Sequence, residues 1–173
     1  MPEGYTHVRT ARRAAALAQL EIEHPAAFAC GANGPDIFFC YRAWKSGEKR
    51  GEDLPALGER MHHENTGAFL RALVQNAATP VQRSYALGFL SHYAADCTVH
   101  PYVVCVTGEG GPYAGPGGHG YFEIAVDSHL HELDTGKLAV PVDDTTPLLA
   151  GADLAEVGAL LQKSLRQAYG LTV

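Results

Sequence analysis

The sequence predicts an all-α protein, a helical bundle of about five main helices. Two observations point there. Apolar residues recur at helical spacing through several long segments, and clusters of glycine and proline fall between those segments. The chain has 173 residues, 46% hydrophobic and 18% charged, which suffices for one ordinary core. With no internal repeat or low-complexity tract, residues 1–173 read as a single domain.

The first helix is expected over residues 6–23, rich in Ala and Leu, with Thr6 as its cap and Pro25 beyond its end. Residues 30–36 (Cys-Gly-Ala-Asn-Gly-Pro-Asp) hold turn formers and read as a loop, continued by a polar stretch over 45–57. A second helix should cover 58–77, burying Phe69, Leu70, Leu73 and Val74. Thr79-Pro80 opens a third, with Thr as cap and Pro in the first turn, running to about Val99 and ending at Pro101. Six glycines and two prolines make 108–118 a loop. A fourth helix spans 119–133, closed by Gly136; 141–151 is loop, and Asp153 caps a last helix reaching Tyr169.

The formal net charge of −6 argues against a broad basic surface, so stable duplex nucleic-acid binding is not expected. A phosphate site remains compatible, because bound divalent cations reverse the local sign. No apolar run approaches the ~20 residues of a membrane span. The N-terminus has no basic segment followed by an apolar one, which gives a cytoplasmic expectation, or secretion if a leader was trimmed. Cys30, Cys40, Cys97 and Cys105 form no CxxC pair and read as reduced thiols, with Cys30–Cys40 and Cys97–Cys105 bridges left open.

The chemistry concentrates in the histidines, nine in all. His92, Asp96 and His100 stand four apart and share one helix face. Eight residues rise about 12 Å, far more than metal–ligand bonds of about 2 Å can bridge, so this row suggests two ions. The fourth helix repeats the device with His119 and Glu123. One such pair is commonly a surface ion pair; two on consecutive helices point to zinc held in a bundle core. Asp127 and His131 extend the second row, either as partners that orient a ligand or as a solvated face. His129 lies off that face and reads as surface, and His24 as a helix-end residue.

The run Ala86 to Asp96, then His100-Pro101, then His119 to Glu123 resembles the zinc-dependent phospholipase C and P1 nuclease superfamily. Gly34-Pro35-Asp36 resembles that superfamily's loop aspartate, Met61-His62 its second-helix histidine and Thr6-His7 its N-terminal histidine. The resemblance implies an all-α fold binding three zinc ions. One would be held by Asp36, His62, His92 and Asp96, and a second by His100, His119 and Glu123. A third would use His7 and Asp96 with the chain's own N-terminal amine and carbonyl. It implies phosphodiester hydrolysis, with Asp36 as the candidate general base toward an activated water.

This chain departs from the secreted relatives at three points. It begins Met1-Pro2 where they begin with tryptophan, His100 follows Asp96 at a shorter gap, and the segment between Asp36 and His62 is longer. The expected complement is therefore two to three zinc ions. His62 is preferred to His63 from the resemblance, since both helix faces are partly apolar. Tyr41, Phe38, Phe39 and Trp44 either wall a substrate pocket or fill core, and 108–118 is either a flap over the site or a plain connection.

The expected function is zinc-dependent phosphoester hydrolysis, the substrate being a small phosphoester, a phospholipid headgroup or a nucleotide. The alternatives are a zinc-binding helical module without catalysis and a nuclease- or nucleotidase-like member of the superfamily. A carboxylate-bridged di-iron bundle is disfavoured, because those use Glu-x-x-His spacing. An HD-type phosphohydrolase is disfavoured because no His-Asp dipeptide occurs. Composition says nothing of oligomeric state.

Overall fold

A computed structural model describes residues 4–41 and 53–171. Among these there are eight α-helices, one 3-10 turn and no strand, so the all-α class holds with more helices than expected. They are α1 (Gly4–Leu17), α2 (Pro25–Gly31), α3 (Leu54–His63), α4 (Thr66–Asn76), α5 (Pro80–Thr107), α6 (Gly118–Thr135), α7 (Val142–Thr145) and α8 (Gly151–Tyr169), with the 3-10 turn at Gly34–Phe38.

The 28-residue α5 is the axis, about 42 Å long at ~1.5 Å per residue. Its start is as expected: Thr79 accepts from the Gln82 N–H while the Gln82 side chain returns to the Thr79 backbone, and Pro80 sits in the first turn. Its end is not. The helix runs through Pro101 to Thr107, although proline in a helix interior removes a hydrogen bond and costs ~3 kcal/mol. Val103 is buried beyond it and Thr107 contacts His119, so tertiary contacts hold the turns that local preference would release.

α2 crosses α5 at glycines. A Cβ on Gly31 would stand 2.1 Å from the Tyr85 carbonyl oxygen, and one on Gly88 would stand 2.1 Å from that of Phe28. The backbones therefore touch, which places the segment after α2 directly on the α5 histidine face. This corrects the expectation of a loop over 30–36: α2 continues to Gly31, capped by the His24 side chain, and a 3-10 turn follows.

Three further boundaries differ. α1 stops at Leu17 rather than reaching Glu23, because its buried stripe ends at Ala15, Leu17 is 87% exposed and Gln19 is left-handed. The expected second helix is two, broken by extended Glu64 and left-handed Asn65, a conformation Asn tolerates. α4 buries Phe69, Leu70 and Leu73 as expected, but Ala72 in place of the half-exposed Val74. A short α7 lies within the expected loop 141–151, and α8 starts at Gly151, so Asp153 stands in its first turn and pairs with His24 rather than capping.

Two apolar clusters result. Phe69, Leu73, Tyr85, Phe89, Leu160 and Leu165 are among those joining α4, α5 and α8, while Val8, Ala11, Phe28 and Ala32 join α1 to α2. Cys30, Cys97 and Cys105 are free thiols, so neither a Cys30–Cys40 nor a Cys97–Cys105 bridge forms. No helix among the described residues is long and apolar enough to cross a membrane.

Candidate metal centre

A cavity of about 1070 Å³ opens between the 3-10 turn, α3, α5 and α6. Its polar wall carries Asp36, His62, His92, Asp96, His100, His119 and Glu123; its apolar wall includes Phe39, Met61, Phe89, Tyr93 and Val104. Spacing explains the α5 contribution, since one residue in four returns to the same face.

Ligating atoms gather in three groups, each within 4.8 Å: His62, His92 and Asp96; His100, His119 and Glu123; His7, Asp36 and His92. Asp36 also meets His62, Nε2 to Oδ1 at 3.2 Å. Asp96 lies between the groups: one oxygen is 4.0 Å from His62 Nε2, while the other is 3.2 Å from His100 Nδ1 and 4.0 Å from His7 Nε2. His7, carried by α1, stacks on His92 with ring centroids 4.1 Å apart. The eight residues singled out from sequence therefore converge. His63 does not; it lies at the exposed rim of the cavity and pairs with Glu59, whereas His62 stands among the candidate ligands.

The imidazoles are held from behind. His92 Nδ1 lies 3.2 Å from the Ala32 carbonyl oxygen, His62 Nδ1 lies 2.9 Å from that of Gly58, and His119 Nδ1 lies 3.1 Å from the Thr107 hydroxyl. With Nδ1 donating to the Ala32 carbonyl, neutral His92 keeps the lone pair of its Nε2 toward the cavity, the arrangement metal-binding histidines use, whereas His62 Nε2 meets Asp36. Gly34 permits the tightest of these approaches. Its φ is +54°, and a Cβ there would stand 2.3 Å from the His92 ring.

Electrostatics agree with that arrangement. Burial pushes His92 down to about 4, the neighbouring His7 adding to the effect and Asp36 and Asp96 opposing it. Burial likewise lowers His7. Burial alone would raise Asp36, but the hydrogen bond from His62 and the charges of His92 and His62 outweigh it and hold the carboxyl below its usual value. Burial alone would lower His62, yet Asp36 and the Gly58 carbonyl hold it above its ordinary value. Neutral His92 and ionised Asp36 are the forms that bind a cation. His92 Nε2 is buried with no hydrogen-bond partner, which costs ~1–3 kcal/mol unless something ligates it. The donor set of nitrogen and carboxylate oxygen suits zinc.

The chain matches the family described as zinc-dependent phospholipase C over residues 6–152. It belongs to that family. Comparisons with curated proteins and with solved structures give no match. In this zinc-dependent phospholipase C family member, the all-helical fold carries candidate ligands from α1, the 3-10 turn, α3, α5 and α6.

Several residues escaped sequence reasoning. Asp127 is buried and caps α1 from α6, its carboxylate accepting from the Tyr5 N–H at 3.0 Å and the Thr6 N–H at 2.9 Å. Thr6 is thus inside the helix rather than its cap, and its hydroxyl also donates to Asp127. His131 is buried between the Lys137 carbonyl, at 2.6 Å, and Asp144, at 3.3 Å, so neither residue forms the solvated face that was one reading. The four-residue step from Glu123 marked Asp127 and His131 as partners that orient a ligand or as a solvated face, and a cap on α1 was neither reading. The Ala32 and Gly58 carbonyls and Thr107 left no sequence signal, because a backbone acceptor can be supplied by any residue.

Phe39 lines the cavity and lies near-parallel to His62 at 5.9 Å, while Phe38 packs on the main core. Trp44 and the Met1-Pro2 amine lie outside the described residues. Residues 108–117 contribute nothing to the cavity wall.

Proposed function

We propose that this chain is a zinc-dependent hydrolase of small phosphodiesters, working as one domain with two to three zinc ions. The observation that supports it most is buried His92 Nε2, left without a partner beside Asp36, His62, Asp96 and His7 while Nδ1 is anchored on a carbonyl. Asp36, His62, His92 and Asp96 would hold one ion and His100, His119 and Glu123 another. His7 with Asp96 would hold a third, together with the N-terminal backbone.

Bound zinc supplies a Lewis acid that neutralises phosphate oxygens and lowers the pKa of water. The protein's own part is to position and to move a proton. Asp36, kept ionised against its burial by the hydrogen bond from His62, would accept a proton from the attacking water. Asp96, between the groups, fixes their spacing. The apolar wall of Phe39, Phe89, Tyr93 and Val104 would give the departing alcohol an apolar surface, open to solvent at Tyr93 and Val104. Reduced Cys30, Cys97 and Cys105 fit the cytoplasmic expectation.

Elemental analysis beside hydrolysis of bis(p-nitrophenyl) phosphate, p-nitrophenyl phosphorylcholine and p-nitrophenyl phosphate tests the reading. Two to three zinc ions per chain with turnover of a diester above the monoester is the expected result. Stoichiometric zinc without hydrolysis of any ester would leave a binding module instead, and absence of bound zinc would end the proposal.

A further inference from the structure

α5 continues two turns past the proline where its sequence suggests an end, and its last residue is Thr107. The half-buried Thr107 hydroxyl sits 2.8 Å from the Val103 carbonyl oxygen and 3.1 Å from His119 Nδ1. A hydroxyl has one hydrogen and a carbonyl can only accept, so both contacts are hydrogen bonds at once only when that hydrogen goes to Val103. Toward His119 the Thr107 oxygen therefore presents a lone pair, and Nδ1 must carry the proton.

The consequence falls on the other ring nitrogen. Nε2 lies 2.8 Å from a Glu123 carboxylate oxygen. With the proton on Nδ1, two electron-rich atoms face each other at hydrogen-bond distance with nothing between them. A cation between them relieves that repulsion, and His100 adds a third donor beside it, its ring 5.2 Å from that of His119. The competing tautomer places the proton on Nε2, where it bonds to Glu123 and closes the group against a metal. That tautomer leaves Nδ1 bare against Thr107, whose hydrogen would have to leave Val103.

We propose that Thr107 is a positioning residue for the His100, His119 and Glu123 group. Its hydroxyl accepts a hydrogen bond from His119 Nδ1–H and so keeps the Nε2 lone pair available to a cation. This rests on the zinc-binding reading above and adds a residue to it. Thr107 touches neither substrate nor metal; it acts through His119.

The test compares Thr107→Val, which keeps the shape and removes the acceptor, with Thr107→Ser, which restores the hydroxyl. Zinc affinity is measured by competition with a chromophoric chelator. The ring protons of His119 are read by 1H–15N correlation in zinc-loaded protein. Loss of an oriented partner behind a ligand imidazole typically weakens metal binding about 10–100-fold. That loss is expected for one zinc in Thr107→Val, with wild-type affinity in Thr107→Ser. It should vanish in a Glu123→Gln background, where the site is already broken. A slowly exchanging Nδ1–H is expected in wild type and Thr107→Ser.

Equal affinities in wild type and Thr107→Val would overturn the proposal while leaving the functional reading in place. So would an Nε2–H signal from His119 in the wild-type protein, a measurement that needs no variant to fold. If wild type binds no zinc, the functional reading falls, and the tautomer of His119 in metal-free protein still decides the role of Thr107.

Discussion

Gly34→Ala should damage this protein twice, and a second glycine separates the two effects. Gly34 has φ +54°, so alanine there pays the ordinary left-handed penalty of about 1–2 kcal/mol. Its new Cβ would also fall 2.3 Å from the His92 Cγ and Cδ2 atoms, against ordinary contacts of ~3.5–4.0 Å. His92 is clamped by the Ala32 carbonyl behind it and His7 stacked on it, so relief requires the ring or the turn to shift by about 1 Å. Overpacking of that kind costs about 1–3 kcal/mol. Gly110 has φ +80° with nothing within 4 Å, so Gly110→Ala carries the strain without the collision. At ~2–4 °C per kcal/mol for a chain of this size, chelator-stripped Gly34→Ala should melt ~4–20 °C lower than wild type, and Gly110→Ala only ~2–8 °C lower. Zinc titration completes the assay. Gly34→Ala should lose ions that depend on His92 and keep the one held by His100, His119 and Glu123, whereas Gly110→Ala keeps them all. Equal melting temperatures and full zinc in both variants would refute the argument from the close approach.

Other outcomes follow from the same geometry. Asp127→Ala removes the carboxylate that caps α1, and should cost at least the ~0.5–2 kcal/mol of a helix cap; hydrogen exchange should show α1 amides losing protection before those of α4 and α8. Asp96→Asn should lower both zinc content and turnover, while Asp36→Asn should lower turnover more than zinc content; undiminished zinc and hydrolysis in Asp96→Ala would contradict the shared-ligand role. The pH dependence has a definite sign. His92 has a folded value of about 4 against 6.5 unfolded, so its contribution is present above pH ~6.5 and is lost as pH falls toward 4, on the order of 3 kcal/mol. His7 adds in the same direction. His62, raised in the fold, acts oppositely, its contribution being lost as pH rises through its folded value. Urea midpoints of stripped protein between pH 7.5 and 4 test the balance, and a midpoint that holds level or rises toward pH 4 would contradict it.

What the sequence made readable follows periodicity. The start of α5 was legible because Thr79, Pro80 and Gln82 act on their own turn, and the end of α6 because Gly136 supplies a left-handed cap there. The histidine and carboxylate rows were legible because four-residue steps need only a helix to bring them to one face. Where neighbours far along the chain decide the outcome, the local pattern misled. Pro101 marks an end by its own chemistry, but Val103 is packed and Thr107 meets a residue twelve positions on. Residues 58–77 carry one continuous apolar stripe, and the break at Asn65 comes from three polar residues whose effect the stripe conceals.

The same division runs through the candidate site. Candidate zinc ligands come from a short menu of His, Asp, Glu and Cys, so spacing announced His92, Asp96, His100, His119 and Glu123, and the family resemblance added His7, Asp36 and His62. The groups behind them need only an oxygen at the right place, which Ala32, Gly58 and Thr107 supply as carbonyls and a hydroxyl. Such positions are fixed by how closely α2 approaches α5 and how far α5 extends, which are properties of packing. The glycines at 31, 34 and 88 connect the two levels. They read as turn or helix residues in sequence, yet in the fold each is a place where backbone meets backbone or the His92 ring. A metal centre assembled from five elements depends on those approaches as much as on its ligands. A bulkier residue at Gly34 would displace His92, and one at Gly31 or Gly88 would part α2 from α5, while leaving the ligand motif unaltered.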